Sequence, residues 1–383
     1  MRACTACSTP PSAPPPRGRL APVILHTEWS LGWGGQEIRI VAEMRAFRAR
    51  GYAMQLACRD GSRIAAEAAQ EGFVVHRLPF RGALDVLTIG RLVRLIGAQR
   101  IGVIHTHSSI DSWCGGIAGR LKGIKVVRSR HLASEVTPGL NAKIVYRFLP
   151  DRVISSGRHI RDRLLALTQG DPASHASVPA GADASRFHPG VDPEPVRREL
   201  SLASSDQVVG VVAVLRSWKG HEVLLEACAR AISELPRLKL LIVGDGPQRG
   251  PIEELIAFHG LGAHAILTGH RADVPALMKA MHVCVLPSLK NEATSQVMPQ
   301  AMLVGTPVIC SSAGGLTEVV QDGATGRVVA PGDVEGLRRA LVAVWAEPNR
   351  TRAMAEQARA FALRELTFER QIDATEAVYR ELL

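Results

Sequence analysis

The residues best suited to chemistry stand where apolar runs give way to polar turns. Glu292 is a lone carboxylate just after the run VCVLP, and Gln300 stands eight residues further on, ahead of TPVIC. Arg216 and Lys219 follow VVGVVAVL, beside a helix start near Gly220. Two cations there suit a pyrophosphate, and solvated loop charges are an equal reading. Gly244, Asp245 and Gly246 follow LKLLIV as a turn with Pro247 behind it. Arg271 follows AILTG on a loop that could meet a base or a phosphate. Nearer the N-terminus, HTEWSLGWGGQE sets Gly32, Gly34 and Gly35 ahead of a helix, where free N–H groups favour anions. A plain tight turn reads that loop as well. The spacing is not G-x-G-x-x-G, and no acidic residue ends the next strand, which leaves a dinucleotide reading weak. His131 follows KVVRSR, and His105 and His107 lie in VIHTHSS. Four successive strand ends in the second half carry polar groups, and their convergence is more specific than any one of them.

Short apolar runs alternating with longer amphipathic stretches must position these residues, the pattern of parallel strands and crossover helices. PVILHT, YAMQLA, VVHRL, GVIHTH, KVVRSR and RVISS read as strands of a first series. GGQEIRIVAEMRAFRAR and ALDVLTIGRLVRLIGAQ read as helices between them. Ile38, Val41, Ala42 and Met44 are expected inward on the first helix, and Val86, Ile89, Leu92, Val93 and Ile96 on the second. HPGVDPEPVRRELSLASSD, polar and Pro-rich, reads as an interdomain connection without a strand. VVGVVAVL, LKLLIVG, AILTG, VCVLP, TPVIC and GRVV form a second strand series. The fold class is therefore α/β, with two tandem Rossmann-like doubly wound domains facing a central cleft.

The expected divisions are an arm over 1–20, a first domain over 21–190, a linker over 191–206, a second domain over 207–365 and a closing helical segment over 366–383. The arm, rich in Pro, Ser and Arg, lacks the apolar core of a signal peptide. Among 383 residues, no apolar segment approaches the length of a membrane span. Seven dispersed cysteines point to reduced thiols and a cytoplasmic setting, and Cys4 and Cys7 form a CxxC with no partner pair. Charge is divided: residues 1–200 hold 28 Lys and Arg against 16 Asp and Glu, while the remainder holds 18 against 20. The first half should meet something anionic. With aromatics at 4% and no aromatic–basic interleaving, nucleic acid is disfavoured.

The ordered series R..KGH, VGDGP, TGHRADVP and PS…E…AM..GTPVI…GG..EVV..G.TG resembles the retaining GT-B glycosyltransferases called family four, over roughly residues 20–383. That resemblance implies a nucleotide-diphosphate sugar bound by the second domain, an acceptor bound by the first, and no cofactor besides the donor substrate. It also implies that the closing helix crosses back to the first domain. Glu292 takes the place of the family glutamate near the donor sugar, and His131 the place of the histidine near the reacting centre. The family's second glutamate, which holds ribose hydroxyls, is here Gln300; an amide can both donate to and accept from a diol. Arg216, Lys219, Gly244, Asp245 and Arg271 fall on the donor side. So do Thr294 and the backbone N–H groups of Ser295, Gln296 and Val297 at a helix start. Gly34, Gly35 and His107 fall on the acceptor or phosphate side. Two departures stand out: Val214 replaces the usual arginine five residues before Lys219, and Pro299 lies two positions late. No DxD-type metal site is visible. The resemblance implies a lipid-linked or polysaccharide acceptor, with lipopolysaccharide or surface-glycan synthesis at an anionic membrane surface. A nucleotide-sugar epimerase of similar shape and a non-catalytic nucleotide-sugar-binding homologue are the alternatives.

Overall fold

The computed structural model describes residues 22–131, 134–290 and 292–383. The expected N-terminal arm and its Cys4–Cys7 pair lie outside those residues. The strands are β1 (Val23–Glu28), β2 (Met54–Arg59), β3 (Val74–Leu78), β4 (Ile101–Thr106), β5 (Lys125–Arg130), β6 (Arg152–Ser155), β7 (His175–Ser177), β8 (Gln207–Val212), β9 (Leu238–Val243), β10 (Ala265–Gly269), β11 (Val283–Leu286), β12 (Val308–Ser311) and β13 (Arg327–Val329). They form a seven-stranded sheet in the order β3-β2-β1-β4-β5-β6-β7 and a six-stranded sheet in the order β10-β9-β8-β11-β12-β13. Each is Rossmann-like, with its order reversing beside the first strand of the series, at β1/β4 and at β8/β11. Such reversals open crevices beyond the strands' carboxyl ends, where ligands bind.

Every strand that sequence patterning predicts is present; β7, only three residues long, escapes it. The central strands β8, β9 and β11 are almost wholly buried because helices cover both faces, so they read as continuous apolar runs. One apolar cluster packs Leu241, Val243, Met298 and Met302, and the other packs Leu240, Ile242, Leu224 and Leu337, one on each face of the sheet. In the earlier sheet Leu25, Ile104, Leu92 and Ile96 share a core.

Helix phases depart from expectation in two places. On the helix Gly35–Ala49 the buried face carries Ile40, Val41, Met44 and Phe47, while Ile38 is half exposed. The face also buries an Arg39–Glu43 ion pair at 2.7 Å, two charges that hid it from an apolar count. On the helix Val86–Ala98, Thr88, Leu92 and Ile96 are buried, but Val86 is exposed because it opens the first turn beyond the N-cap Asp85. The polar connection before β8 is not wholly irregular: it contains the short helix Glu194–Glu199. Packing divides the chain into two compact units. One runs to Arg128 with Leu149–Asp151 and Leu382–Leu383, and the other holds Ser129–Phe148 and Arg152–Glu381.

Candidate active site

In the unit that holds β8 to β13, Glu292 is buried and bound through one oxygen. Lys219 Nζ lies 2.5 Å from its Oε1, and Ser288 Oγ donates to the same atom at 2.7 Å. Ser288 follows β11, and its own carbonyl accepts from Ser311 Oγ at 2.5 Å, at the end of the adjacent strand β12. Lys219 ends a single 3₁₀ turn, Ser217–Lys219, which is held against this loop by Leu289 N donating to Trp218 O at 2.8 Å. Gly314 accounts for the GG pair of the sequence. Its φ is +56°, and a Cβ there would stand 2.1 Å from Glu292 O, so only glycine lets the two loops lie together. Gly315 N then donates to Glu292 O at 3.1 Å.

Thr294, two residues on, is a joint. Its hydroxyl donates to Ser156 O at 2.6 Å and accepts from Ala180 N at 3.1 Å, and its own N–H also meets Ser156 O. Ser156 N in turn donates to Arg130 O at 3.1 Å, at the carboxyl end of β5, immediately before half-buried His131. One residue, Ser156, thus bridges the Glu292 loop to the strand end that bears His131. Glu318 completes the frame: its carboxylate accepts from Arg158 N and His159 N at 2.6 Å each, capping the helix Arg158–Thr168. Ser156, Ser288 and Glu318 were not singled out from sequence. Apart from Ser288's bond to Glu292, four residues on, their partners lie 23 to 160 positions away, and only the PS and EVV motifs around Ser288 and Glu318 gave any local sign.

The other donor-side residues divide. Gly244 is required by its place: at φ +138° a Cβ would meet Ala213 O at 1.9 Å, because β9's end pairs closely with the chain beyond β8. Asp245 is exposed and accepts from Gly246 N at 2.7 Å. Arg216 is also exposed, its guanidinium 5.0 Å from the Trp218 ring. Arg271 is not directed at an open phosphate position. It bonds both oxygens of Glu199 and both of Asp273, and these carboxylates push its pKa further up. It fastens the helix Glu194–Glu199 to the loop after β10.

The helix after Glu292 is Val297–Val304, with Gln296 at its N-cap, so Pro299 falls in its first turn and offers no N–H. Val297 N donates to Ser295 Oγ at 3.3 Å and Gln296 Nε2 to Gly181 O at 3.4 Å. Of the three amides expected to face a diphosphate, that of Val297 is engaged by Ser295 Oγ in this structure. Gln300 is half exposed on the same helix. His221, opening the next helix after Lys219, has its pKa lowered to about 4 by burial and by the Lys219 charge, so its ring is neutral.

The unit that holds β1 to β4 contains a separate buried polar group. His26, His105 and His107 gather at the ends of β1 and β4, with His26 Nδ1 and His107 Nε2 2.8 Å apart and their rings stacked at 5.0 Å. Among the described residues they are the one set with the numbers and proximity for a metal ion, their ligand atoms within 4.8 Å. Two nitrogens at 2.8 Å suit a shared proton better than an ion, whose ligands at about 2.0–2.1 Å in a tetrahedron stand over 3 Å apart. Burial lowers the His26 pKa to about 3, so the ring is a neutral hydrogen-bonding partner.

Beside them Asp111 accepts from Thr27 Oγ1, His107 N and Ser108 N, at 2.9, 2.8 and 2.9 Å. Glu28 accepts from Ser30 N, Ser108 Oγ and Gln36 Nε2. Gly34 forms the N-cap of the helix that Gly35 opens, its N–H donating to Glu37 Oε2 at 2.9 Å, and nothing would oppose a Cβ on Gly35. Sequence reading singled out His107 and the glycines and missed Glu28, Gln36, Ser108 and Asp111.

Comparison with known proteins accords with this arrangement. Residues 192–361 match the family described as glycosyl transferases group 1, and residues 33–186 match glycosyltransferase family 4. A D-inositol 3-phosphate glycosyltransferase of Segniliparus rotundus is 27% identical, over 100% of this chain and 93% of its own. A GDP-mannose-dependent alpha-(1-6)-phosphatidylinositol monomannoside mannosyltransferase of Mycolicibacterium smegmatis is 30% identical, over 78% and 81%. A UDP-Gal:alpha-D-GlcNAc-diphosphoundecaprenol alpha-1,3-galactosyltransferase of Escherichia coli is 28% identical, over 68% and 70%. Among solved structures, a glycosyltransferase from Rickettsia africae superposes with TM-score 0.87 at 18% identity, covering 94% of this chain and 98% of its own. Anabaena HepE with UDP and glucose superposes with TM-score 0.80 at 21% identity, covering 94% and 99%. These likenesses show the GT-B fold.

Proposed function

The chain belongs to glycosyltransferase family 4 and takes its sugar from a nucleotide-sugar donor, and from that premise we propose that it transfers the sugar with retention of anomeric configuration to a lipid-linked or polysaccharide acceptor in surface-glycan synthesis. The observation that carries the reading is the Ser156 bridge, which sets the Glu292 loop and the His131 strand end within one hydrogen-bonded frame. A donor sugar approached by Glu292 then lies near His131, the group assigned to the reacting centre.

As the bond to the diphosphate lengthens, negative charge grows on the leaving group and the sugar gains oxocarbenium character. Lys219 supplies a preorganised cation for that charge, with Arg216 free to swing in from its exposed position. Lys219 now serves Glu292; a bound diphosphate shares it, leaving the Glu292 carboxylate to accept from sugar hydroxyls. Gln300 bonds the ribose diol. The diphosphate is met by protein groups without a divalent metal. The Escherichia coli relative's printed acceptor, a sugar on diphosphoundecaprenol, supports a lipid diphosphate as the first acceptor to assay. No helix among the described residues is long and apolar enough to cross a membrane, so the proposed membrane contact is peripheral.

The test has two stages. A thermal-shift screen finds the donor, since ligand at about 100 times its Kd adds about 2.7 kcal/mol. NMR of the product formed on GlcNAc-diphosphoundecaprenol then reads the anomeric configuration. Retention, undiminished in excess chelator, is the expected result; inversion, or turnover lost to chelator and restored by magnesium, contradicts it.

A further inference from the structure

Glu28 ends β1 with its carboxylate wholly buried, and every bond it accepts comes from a segment that shapes the glycine loop. Ser30 N, at the start of the loop, donates to Oε1 at 2.8 Å. Gln36 Nε2, just past its end on the helix Gly35–Ala49, donates to Oε2 at 2.5 Å. Ser108 Oγ, at the N-cap of the helix Ser109–Lys122, donates to Oε1 at 2.7 Å, and Gln36 also reaches Ser108 Oγ at 2.6 Å. One carboxylate thus pins both ends of the loop Trp29–Gly35 and ties it to the strand end after β4. Gln36 and Ser108, each half exposed, are the surface members of this staple.

We propose that Glu28 is a positioning residue for glycosyl transfer, holding the Trp29–Gly35 loop and the outward faces of Gln36 and Ser108 in the geometry that receives the acceptor's hydroxyl-bearing end. The proposal rests on the reading that this unit takes the acceptor. A carboxylate is suited to the task because it can accept three donors at once, whereas an amide in its place turns an N–H toward one of them.

The groups around Glu28 are Asp111 from the helix Ser109–Lys122, with Arg128 of β5 beside that aspartate, Cys58 opposite on β2, and His26 two residues back on its own strand. Burial first, and Asp111 second, raise its pKa to about 7. Opening the loop to water returns Glu28 toward its ordinary pKa, so the staple is tightest with Glu28 protonated and loosens as pH rises through neutrality.

The test compares the full-length wild type with E28Q and E28A. Amide exchange of residues 29–36, corrected for intrinsic pH dependence, needs no acceptor. Protection is expected to fall about tenfold or more in E28A and less in E28Q, and to fall from pH 6 to 8 in the wild type alone. With GlcNAc-diphosphoundecaprenol as acceptor probe, its KM should rise about tenfold in E28A and partway in E28Q. Affinity for UDP or GDP, whichever binds the wild type, should stay within twofold. Wild-type loop protection in E28A overturns the proposal, and so does nucleotide affinity falling in step with acceptor KM. If the wild type itself transfers nothing to the probe while the loop still loosens in E28A, the acceptor reading fails rather than the staple, and the transfer role is withdrawn.

Discussion

Thr294 shows how much of this site depends on one hydroxyl. It donates to Ser156 O and satisfies Ala180 N, both away from solvent. Thr294→Val keeps the shape, deletes both bonds and leaves a buried amide unpaired, at a cost of about 1–3 kcal/mol. Urea denaturation should register that loss, together with lower turnover because the Glu292 loop slackens against the β5 end. Unchanged stability and rate would detach Thr294 from the frame. Its assignment to the donor side came from its place in the motif; the bonds it makes are backbone-directed and span 114 and 138 positions, which no motif reveals. Arg271 teaches the converse. A cation after a strand end reads as a phosphate ligand, and the decisive fact, two carboxylates already upon it, includes one from the linker helix 72 residues earlier.

At the scale of elements, the strands were legible because parallel strands covered on both faces are continuous apolar runs, and β7 was not because three residues carry no pattern. Helix faces were less legible where charge is buried, as with Arg39 and Glu43. The helix Arg158–Thr168 begins at Gly157, which has no side chain to cap it, and Glu318 does so from another loop. Glu318→Ala should therefore fray the first turn of that helix at a cost of about 0.5–2 kcal/mol, the range for lost N-caps. Since Ser156 and Gly157 adjoin that turn, transfer should slow about tenfold or more. Glu318→Gln, which keeps one acceptor, should restore much of the rate. An alanine variant with normal kinetics and normal exchange at Arg158 and His159 would contradict this.

For the whole molecule, the basic half is less available than its composition suggests. Arg39 is buried against Glu43, and Arg45 and Arg48, though exposed, are both bound to Glu71; Arg91 and Arg94 are exposed on the helix Val86–Ala98 near exposed Leu84, Val86 and Leu87. The proposed membrane contact belongs there. Each basic residue near an anionic surface contributes about 1 kcal/mol, screened beyond about 8 Å at physiological salt. Replacing Arg91 and Arg94 by Glu should abolish co-sedimentation with anionic vesicles; unchanged sedimentation would place the contact elsewhere.

Stability carries a separate signature. Glu28 binds its proton more tightly when folded, with a pKa of about 7 against 4.5, so its contribution is complete below 4.5 and lost as pH rises through 7. Wild-type stability should fall by at most about 1.4 kcal/mol per pH unit across that window, and E28Q should flatten the slope. A slope unchanged in E28Q would assign it to another group.

The central claim is that the Glu292 site moves a sugar from a nucleotide donor to an acceptor. Release of nucleoside diphosphate from a panel of nucleotide sugars, with and without GlcNAc-diphosphoundecaprenol, in the wild type and in Glu292→Ala, tests it most directly. The account predicts acceptor-dependent release by the wild type and a loss of at least about a hundredfold in a variant that still folds. Donor conversion without an acceptor, or equal release by the variant, would contradict it.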